Sequence, residues 1–473
     1  MKIEALLEGI AYRGNGDIEI NRIESDSRKV TEGCLFVCIK GYESNGHDYA
    51  EMAAQKGAAA ILAQDEISVS CPVIYTENTR KAMASACHVF HGKPSEKFKL
   101  IGITGTNGKT TTTFLIKQIL EAAGQKVGLI GTNQNMIGQK VLPTSRTTPD
   151  SFELQALFAQ MADENVDTVV MEVSSHALYL DRVYGCDFDV GVFTNLTQDH
   201  LDFHKTMDAY ADAKAILFNN CRKGVVNADD GFACKMLNGS CAYTTYGVDT
   251  DAHIQATNLH LHAKGVDFKI DDVAFSLGIP GKFSVYNALS AIGAAQATGL
   301  SLPFIAEALS KAKGVKGRAE VIDLGFDFTV LIDYAHTPDG VENILNTAKG
   351  FAKGDVIILL GCGGDRDNKK RPIMGEIATT LADFAIITSD NPRTEEPAKI
   401  IEDILAGVKG DRYIVIEDRR AAIEYALHNA KKDDVVILAG KGHEDYQIIG
   451  KEKRHFDETE ILFEIRDEMI KGE

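Results

Sequence analysis

Apolar positions along the chain fall into short β-rich runs separated by stretches of helical period. "KLIGITG", "DTVVMEVSS", "DVGVFTNL" and "GVVNADD" are runs of the first kind, and "TTTFLIKQILEAAGQ" is of the second. Such alternation predicts a mostly parallel sheet covered by helices. A Gly-rich basic stretch, "KAKGVKGRAE" at 311–320, then reads as a hinge. Beyond it the alternation restarts with "FTVLIDYAH", "VENILNTAKGFAKG", "DVIILLGCGG", "ADFAIITSD", "RYIVIED", "RAAIEYALHNA" and "DDVVILAGKG". That second series predicts a Rossmann-like, doubly wound domain, with glycines and charged residues just past the strand ends, where open α/β sheets bind ligands. Upstream, residues 1 to about 98 mix short strands and helices, as in "GCLFVCIKG" and "AEMAAQKGAAAILAQ", and "GKPSEKFK" at 92–99 reads as a linker. The expectation is an α/β protein of three domains, 1–98, 99–318 and 319–473, in keeping with its 473 residues.

Composition narrows the function. Hydrophobic residues at 44% and charged residues at 25% are those of a globular protein. The balance of 50 basic against 68 acidic side chains, −18 overall, argues against a general binder of nucleic acid or anionic membranes. A local basic pocket is still compatible with it. No secretory signal or membrane-spanning run is visible, and a cytoplasmic location is expected. Nine cysteines lie scattered without a CxxC motif; Cys34 and Cys38, in an apolar run, read as buried strand thiols rather than metal ligands or a disulfide.

The chemistry begins at "TGTNGKTTTT", 104–113. A Gly-rich turn between a strand and a helix gathers backbone N–H groups and the helix dipole at one point, which favours phosphate. Lys109 would reach the outer phosphates and the Thr110 hydroxyl a Mg²⁺ ion. The common spacing would place a glycine at 103, where Ile103 stands. Glu172 ends one later strand, and Asp199, His200 and His204 follow another. Each alone reads as a solvated loop residue or a satisfied histidine. Together, in the sheet of the phosphate loop, Glu172 and His200 become candidate metal ligands, although Mg²⁺ ordinarily prefers oxygen donors.

"GITGTNGKTTT", "EVSSHAL", "NLTQDHLDFH", "DYAHTPDG", "GCGGDRDNKKRPIMG" and "SDNPRTEEP" carry a strong resemblance to the Mur ligases of peptidoglycan synthesis, and within them to the MurE type, which adds the third residue of the stem peptide. The resemblance runs in family order from "DSR" at 26–28 to "GKGHEDYQ", and its phosphate loop is a variant without the missing glycine. It implies a UDP-substrate-binding first domain, a central ATP-binding domain and a C-terminal amino-acid-binding domain. It also implies a reaction in which ATP converts a carboxylate into an acyl phosphate that an amine then displaces. Gly105, Thr106, Asn107, Gly108, Lys109, Thr110 and Thr111 would hold ATP phosphates. Asn287 would meet adenine, and Arg318, Asp333 and His336 would join from the C-terminal side.

Metal ligands implied are Thr110, Glu172, His200 and Lys214, with two Mg²⁺ sites expected and Lys109, Lys214, His200 and Glu172 catalytic. From spacing alone Lys214, in the helical "AYADAKAILFNN", reads as a solvated surface lysine; the resemblance instead implies a carbamate formed with CO₂, which requires a neutral amine. Ser27, Tyr42, Glu43 and Ser44 match uridine-contacting positions, and Thr147, Thr148, Ser174 and Arg182 match the grip on the muramoyl-dipeptide. Leu180 stands where some relatives have a polar contact.

MurE-type enzymes add chiefly L-lysine or meso-diaminopimelate, which differ by one distal carboxylate. A buried carboxylate needs a charged partner, and arginine offers a planar two-pronged one. Asp390, Asn391 and Arg393 match the diaminopimelate-adding pattern, and Arg366, Gly440 and Glu444 match the remaining contacts. On spacing alone Arg393 could equally be a loop arginine paired with Glu395 or Glu396. The expected substrates are therefore ATP, UDP-N-acetylmuramoyl-L-alanyl-D-glutamate and meso-diaminopimelate, acting on a monomer without nucleic acid or membrane. A lysine-adding ligase, folylpolyglutamate synthase and a non-catalytic nucleotide switch are the rival readings.

Overall fold

The computed structural model describes residues 1–41, 44–144, 146–239, 241–312 and 314–472. It falls into two compact units, one of residues 1–246 and 293–299, the other of 247–292 and 300–473.

The first unit opens with a five-stranded sheet. Its strands are β1 (Tyr12–Arg13), β2 (Arg22–Glu24), β3 (Cys34–Val37), β4 (Ala60–Ala63) and β5 (Val73–Thr76), in the order β1-β5-β4-β3-β2. β2 to β5 pair in parallel and β1 is antiparallel. Cys34 and Cys38 are buried thiols, as expected, and burial pushes them up to about 11 and about 12. The presumed linker 92–99 is structured. Pro94 starts a 3-10 turn, Pro94–Glu96, and Pro94 and Ser95 are buried, since proline's fixed φ suits the first position of a turn.

The second sheet of this unit contains β6 (Lys99–Thr104), β7 (Val127–Ile130), β8 (Asn135–Ile137), β9 (Lys140–Leu142), β10 (Thr168–Glu172), β11 (Phe188–Phe193), β12 (Cys221–Asn227) and β13 (Ala242–Gly247). Their order is β13-β12-β11-β6-β10-β7-β8-β9. All pairings from β13 to β7 are parallel, and β8 and β9 add an antiparallel edge. β6 and β10 are buried along almost every residue, the pattern of strands covered on both faces. The C-terminal ends of β11, β6, β10 and β7 therefore lie side by side, and the first three carry candidate residues.

In the second unit, β14 (Ile254–Gln255) precedes a three-stranded antiparallel sheet of β15 (Thr257–His262), β16 (Gly265–Ile270) and β17 (Val273–Leu277). After it comes the doubly wound sheet: β18 (Glu320–Ile322), β19 (Thr329–Asp333), β20 (Val356–Leu360), β21 (Phe384–Ile387), β22 (Tyr413–Val415) and β23 (Val435–Ala439), ordered β18-β19-β23-β20-β21-β22. Only β18 is antiparallel. The strands match the apolar runs "FTVLIDYAH" to "DDVVILAGKG", and helices Pro338–Lys349, Lys370–Leu381 and Arg419–Asn429 fill the gaps between them. No helix among the described residues is long and apolar enough to cross a membrane.

Candidate active site

The phosphate loop lies where β6 turns into helix Lys109–Ala122. Its shape requires glycine twice. Gly105 has φ 151°, and a Cβ there would stand 1.9 Å from Thr194 Oγ1; Gly108 has φ 83°. Residues just past β11 brace the loop: Asn195 O accepts from Thr106 N (2.9 Å), and Asn195 Oδ1 accepts from Asn107 N (2.9 Å). The first-turn N–H groups of the following helix have no acceptor within the helix, so the loop offers donors and a positive dipole end together. Thr110 and Thr111 are buried here.

Two lysines converge on this loop. Lys109 Nζ donates to Gly105 O (2.9 Å) and Thr106 O (2.8 Å), and Lys214 Nζ donates to the same Gly105 carbonyl (2.8 Å). Lys214 is 1% exposed and its ammonium lies 4.4 Å from the Tyr210 ring centroid, so the surface position read from spacing does not hold. Helix Met207–Asn219 turns this residue inward against β6, a contact made across more than a hundred residues of sequence. Burial, with the Lys109 charge adding to it, drives the Lys214 pKa well down from its ordinary value.

Glu172, at the end of β10, is buried and accepts from Thr110 Oγ1 (2.9 Å), Thr132 N (2.9 Å) and Thr132 Oγ1 (3.1 Å). Gly131, just past β7, is small by necessity, because a Cβ would meet Glu172 Oε1 at 2.5 Å. The Thr110 hydroxyl and the Glu172 carboxylate are adjacent hard oxygen donors, the set that suits Mg²⁺. His200 follows β11 with φ 53° and Nε2 3.4 Å from Asp199 Oδ2. Burial lowers its pKa, and Lys109 and Lys214 add to the effect against Asp199. His204 is buried; its Nε2 lies 3.0 Å from Ser175 Oγ and its ring stacks on Tyr210.

Thr147, Thr148, Ser174 and Arg182 are linked to Glu172. Thr147 Oγ1 lies 3.0 Å from Thr132 Oγ1, to which it can donate, and Thr148 Oγ1 donates to the Glu172 carbonyl (2.9 Å). Ser174 N donates to Thr148 Oγ1 (3.0 Å), and Arg182 Nη1 to Thr148 O (3.0 Å). Arg182 also pairs with Asp150 (2.9 Å). A cavity of about 750 Å³ extends from Arg182 to Ser27 and Ser44, with Arg28, Arg80 and Arg146 in its wall. It is a basic pocket inside a chain of net charge −18. Leu180 is part of the wall, an apolar surface in place of a polar contact. Tyr42 and Glu43 lie outside the described residues.

In the second unit, residues past the adjacent strands β23, β20 and β21 cluster. Asn391 Nδ2, after β21, donates to Glu444 Oε2 (2.8 Å), after β23. Lys441, wholly buried, lies 3.4 Å from Asp390 Oδ1, 3.5 Å from Glu444 Oε2 and 3.3 Å from Asn391 Oδ1. Gly440 has φ 112°, and a Cβ there would stand 3.2 Å from Asp390 Oδ2. Arg393, at φ 53°, donates from Nη1 to Gly364 O (2.7 Å). Its suspected partner Glu395 is taken by buried Arg371 through two bonds of 2.9 Å, and Arg371 also holds Asp403 (2.8 Å). No carboxylate among the described residues pairs with Arg393. Arg366 Nη1 donates to Asp365 O, 3.0 Å away.

Asp333 ends β19; its Oδ2 accepts from Ala319 N (2.7 Å), and burial raises its pKa against the pull of Arg318. The Arg318 guanidinium lies 4.9 Å from the Tyr334 ring centroid, and His336 Nδ1 donates to Tyr334 O (2.7 Å). Asn287 is buried on helix Lys282–Ala297. Sequence reasoning missed Thr132, Tyr210, Arg371 and Lys441. Lys441 had a legible signal, a lysine between two glycines at the end of an apolar strand; Thr132 and Tyr210 had none.

The Mur ligase middle domain family matches residues 103–295, the glutamate ligase domain of Mur ligases 317–442, and the catalytic domain of the Mur ligase family 19–89. A curated relative from Clostridium botulinum, a UDP-N-acetylmuramoyl-L-alanyl-D-glutamate--2,6-diaminopimelate ligase, is 51% identical over 485 residues, covering 99% of this chain and 100% of its own. The chain belongs to the Mur ligase family. A solved structure of a ligase of the same name is 31% identical, covers 99% of each chain and superposes with a TM-score of 0.74. The MurF ligase of Thermotoga maritima, solved with ADP, shares the Mur ligase fold at 18% identity and a TM-score of 0.61, over 97% of this chain and 100% of that one.

Proposed function

We propose that this Mur ligase is an ATP-dependent amide ligase that joins meso-diaminopimelate to UDP-N-acetylmuramoyl-L-alanyl-D-glutamate through an acyl phosphate, in the cytoplasm and as a monomer. Residues 1–98 take the UDP end of the substrate, 99–318 the ATP, and 319–473 the incoming amino acid. One observation carries the choice of acceptor: Arg393 has a main-chain carbonyl as its partner while Glu395 is held by Arg371. That leaves a guanidinium fork to meet a distal carboxylate, which lysine lacks.

The residues divide the work as follows. Gly105 to Thr111 bind phosphate through main-chain donors, and Lys109 exchanges its loop carbonyls for phosphate oxygens. Asn287, Arg318, Asp333 and His336 are assigned to the nucleotide. Thr110, Glu172 and His200 would hold Mg²⁺, which supplies charge neutralisation for phosphoryl transfer when bound. Burial, which lowers the Lys214 pKa, favours the neutral amine that CO₂ requires; the resulting carbamate would be an anionic ligand at a second Mg²⁺ site. Ser27, Ser44 and the arginine-lined cavity suit a diphosphate and a carboxylate, and Tyr42 and Glu43 are assigned with them. Thr147, Thr148, Ser174 and Arg182 orient the dipeptide near the phosphate loop. Asp390, Asn391, Gly440 and Glu444 receive the ammonium end of diaminopimelate, and Arg366 and Arg393 its carboxylates.

Phosphate release measured with single substrates omitted tests the ligase reading. Release is expected to need the UDP-substrate and the amino acid as well as ATP. Slow turnover indifferent to both would indicate a nucleotide switch instead.

A further inference from the structure

The antiparallel sheet β15–β17 carries none of the residues assigned to the ligase chemistry, yet it gathers three side chains of metal-ligating type. His260 Nδ1 lies 3.6 Å from Asp267 Oδ2 and His262 Nε2 lies 3.4 Å from the same oxygen. One ligand atom from each residue falls within 4.8 Å of the other two. Donors bound at about 2.0–2.2 Å around a tetrahedral ion stand about 3.3 Å apart, so both histidine–aspartate spacings already approach that geometry. Only the two imidazoles need to draw closer.

The backbone is bent to bring these residues together. Thr257 pairs with Lys269 and His260 with Asp267, which leaves one extra residue on β15 between the two pairs. Asn258, in that interval, has φ 53°, a conformation asparagine tolerates better than most residues. A bulge of this kind re-aims the side chains that follow it. Without it Leu259 would face Asp267, and both histidines would turn to the other side of the sheet. With it, His260, Asp267 and Ser276 form one row across three strands. A hydrogen bond from Ser276 is the main cause holding the Asp267 carboxyl below its usual range. Such an outer partner orients a ligating carboxylate. The opposite face, with Val266, Phe268, Phe275 and Leu277, is buried, so the donors stand on a fixed platform.

We propose that His260, His262 and Asp267 form a binding site for a divalent transition-metal ion of the Zn²⁺ class on the outer face of this sheet. Two imidazoles and one carboxylate select for Zn²⁺ and its neighbours over Mg²⁺ or Ca²⁺, which prefer all-oxygen shells. With three protein donors and exposed surroundings, the ion keeps a position open to water.

The test is calorimetric titration of Zn²⁺ into the untagged, reduced full chain with Mg²⁺ in large excess. Wild type is expected to show a Zn²⁺ site that Mg²⁺ does not displace. The double variant His260→Gln/His262→Gln should lose it, Asp267→Asn should weaken it at least tenfold, and Ser276→Ala should weaken it about tenfold. The melting temperature without Zn²⁺ should stay unchanged, because the altered groups face solvent. Equal Zn²⁺ stoichiometry and affinity in wild type and the double variant would overturn the site by assigning the binding to other groups, thiols included. So would free displacement by Mg²⁺, or no Zn²⁺ binding by wild type.

Discussion

Arg393 and Glu395 stand two apart in "NPRTE", close enough that an ion pair between them was an open reading. Arg371 settles the matter from a distance by holding Glu395 and Asp403 together. No local pattern could reveal this, because Arg371 sits on another helix and its partner choice depends on the packing of Lys370–Leu381 beside Pro397–Leu405. Arg393→Ala is expected to lower kcat/KM for diaminopimelate by about 2–5 kcal/mol, since it strands a desolvated carboxylate, while KM for ATP stays within a few-fold. Steady-state kinetics with each substrate varied in turn would check it. Lys441 does carry a local signal, a lysine between two glycines past an apolar strand, but its burial among Asp390, Asn391 and Glu444 is set by how the strand ends pack. There its charge offsets the repulsion of the Asp390 and Glu444 carboxylates.

At the level of elements, most of the molecule was legible. β6, β10, β11 and β12 of the central sheet and β19 to β23 of the C-terminal one coincide with apolar β-rich runs, because strands buried on both faces have no reason to alternate; β7 to β9, β13 and β18 were not read. In the first ninety-odd residues the run holding Cys34 and Cys38 was legible and is β3, whereas the two- and three-residue strands β1 and β2 and the alternating sheet β15–β17 were not; short or half-buried strands give a weaker signal than a continuous apolar run. Lys214 marks the limit most clearly. Its helix is legible, and Lys214 falls on the buried face with Tyr210, Leu217 and Phe218; the pattern does not show that the Gly105 carbonyl lies there to accept from the lysine. That helix depends on its N-cap, where Thr206 Oγ1 accepts from Ala209 N at 3.1 Å. Thr206→Ala should therefore cost about 1 kcal/mol in urea denaturation and reduce ligase activity with it. Loss of stability without loss of activity would show that the cap does not help to position Lys214.

Over the whole molecule, pH offers a separate check. His443 has a buried Nδ1 without a hydrogen-bond partner among the described residues, and burial, aided by Arg318 and Lys316, lowers its pKa to about 4. The unfolded chain takes up that proton near the ordinary value of about 6.5 and the folded chain does not. The stability contributed is thus full above pH 6.5 and is lost as pH falls toward 4. The urea midpoint of wild type should drop more between pH 7 and pH 5 than that of His443→Gln; parallel falls would remove His443 from the account.

The acceptor is the central claim, and phosphate release from ATP reads it directly. The assay holds Mg²⁺ and UDP-N-acetylmuramoyl-L-alanyl-D-glutamate constant and supplies meso-diaminopimelate or L-lysine in parallel. The geometry around Arg393 predicts turnover with diaminopimelate and a kcat/KM for lysine lower by roughly 30-fold or more, the equivalent of about 2 kcal/mol. Equal or better use of lysine would contradict the role given to Arg393 while leaving the ligase chemistry of the first unit in place.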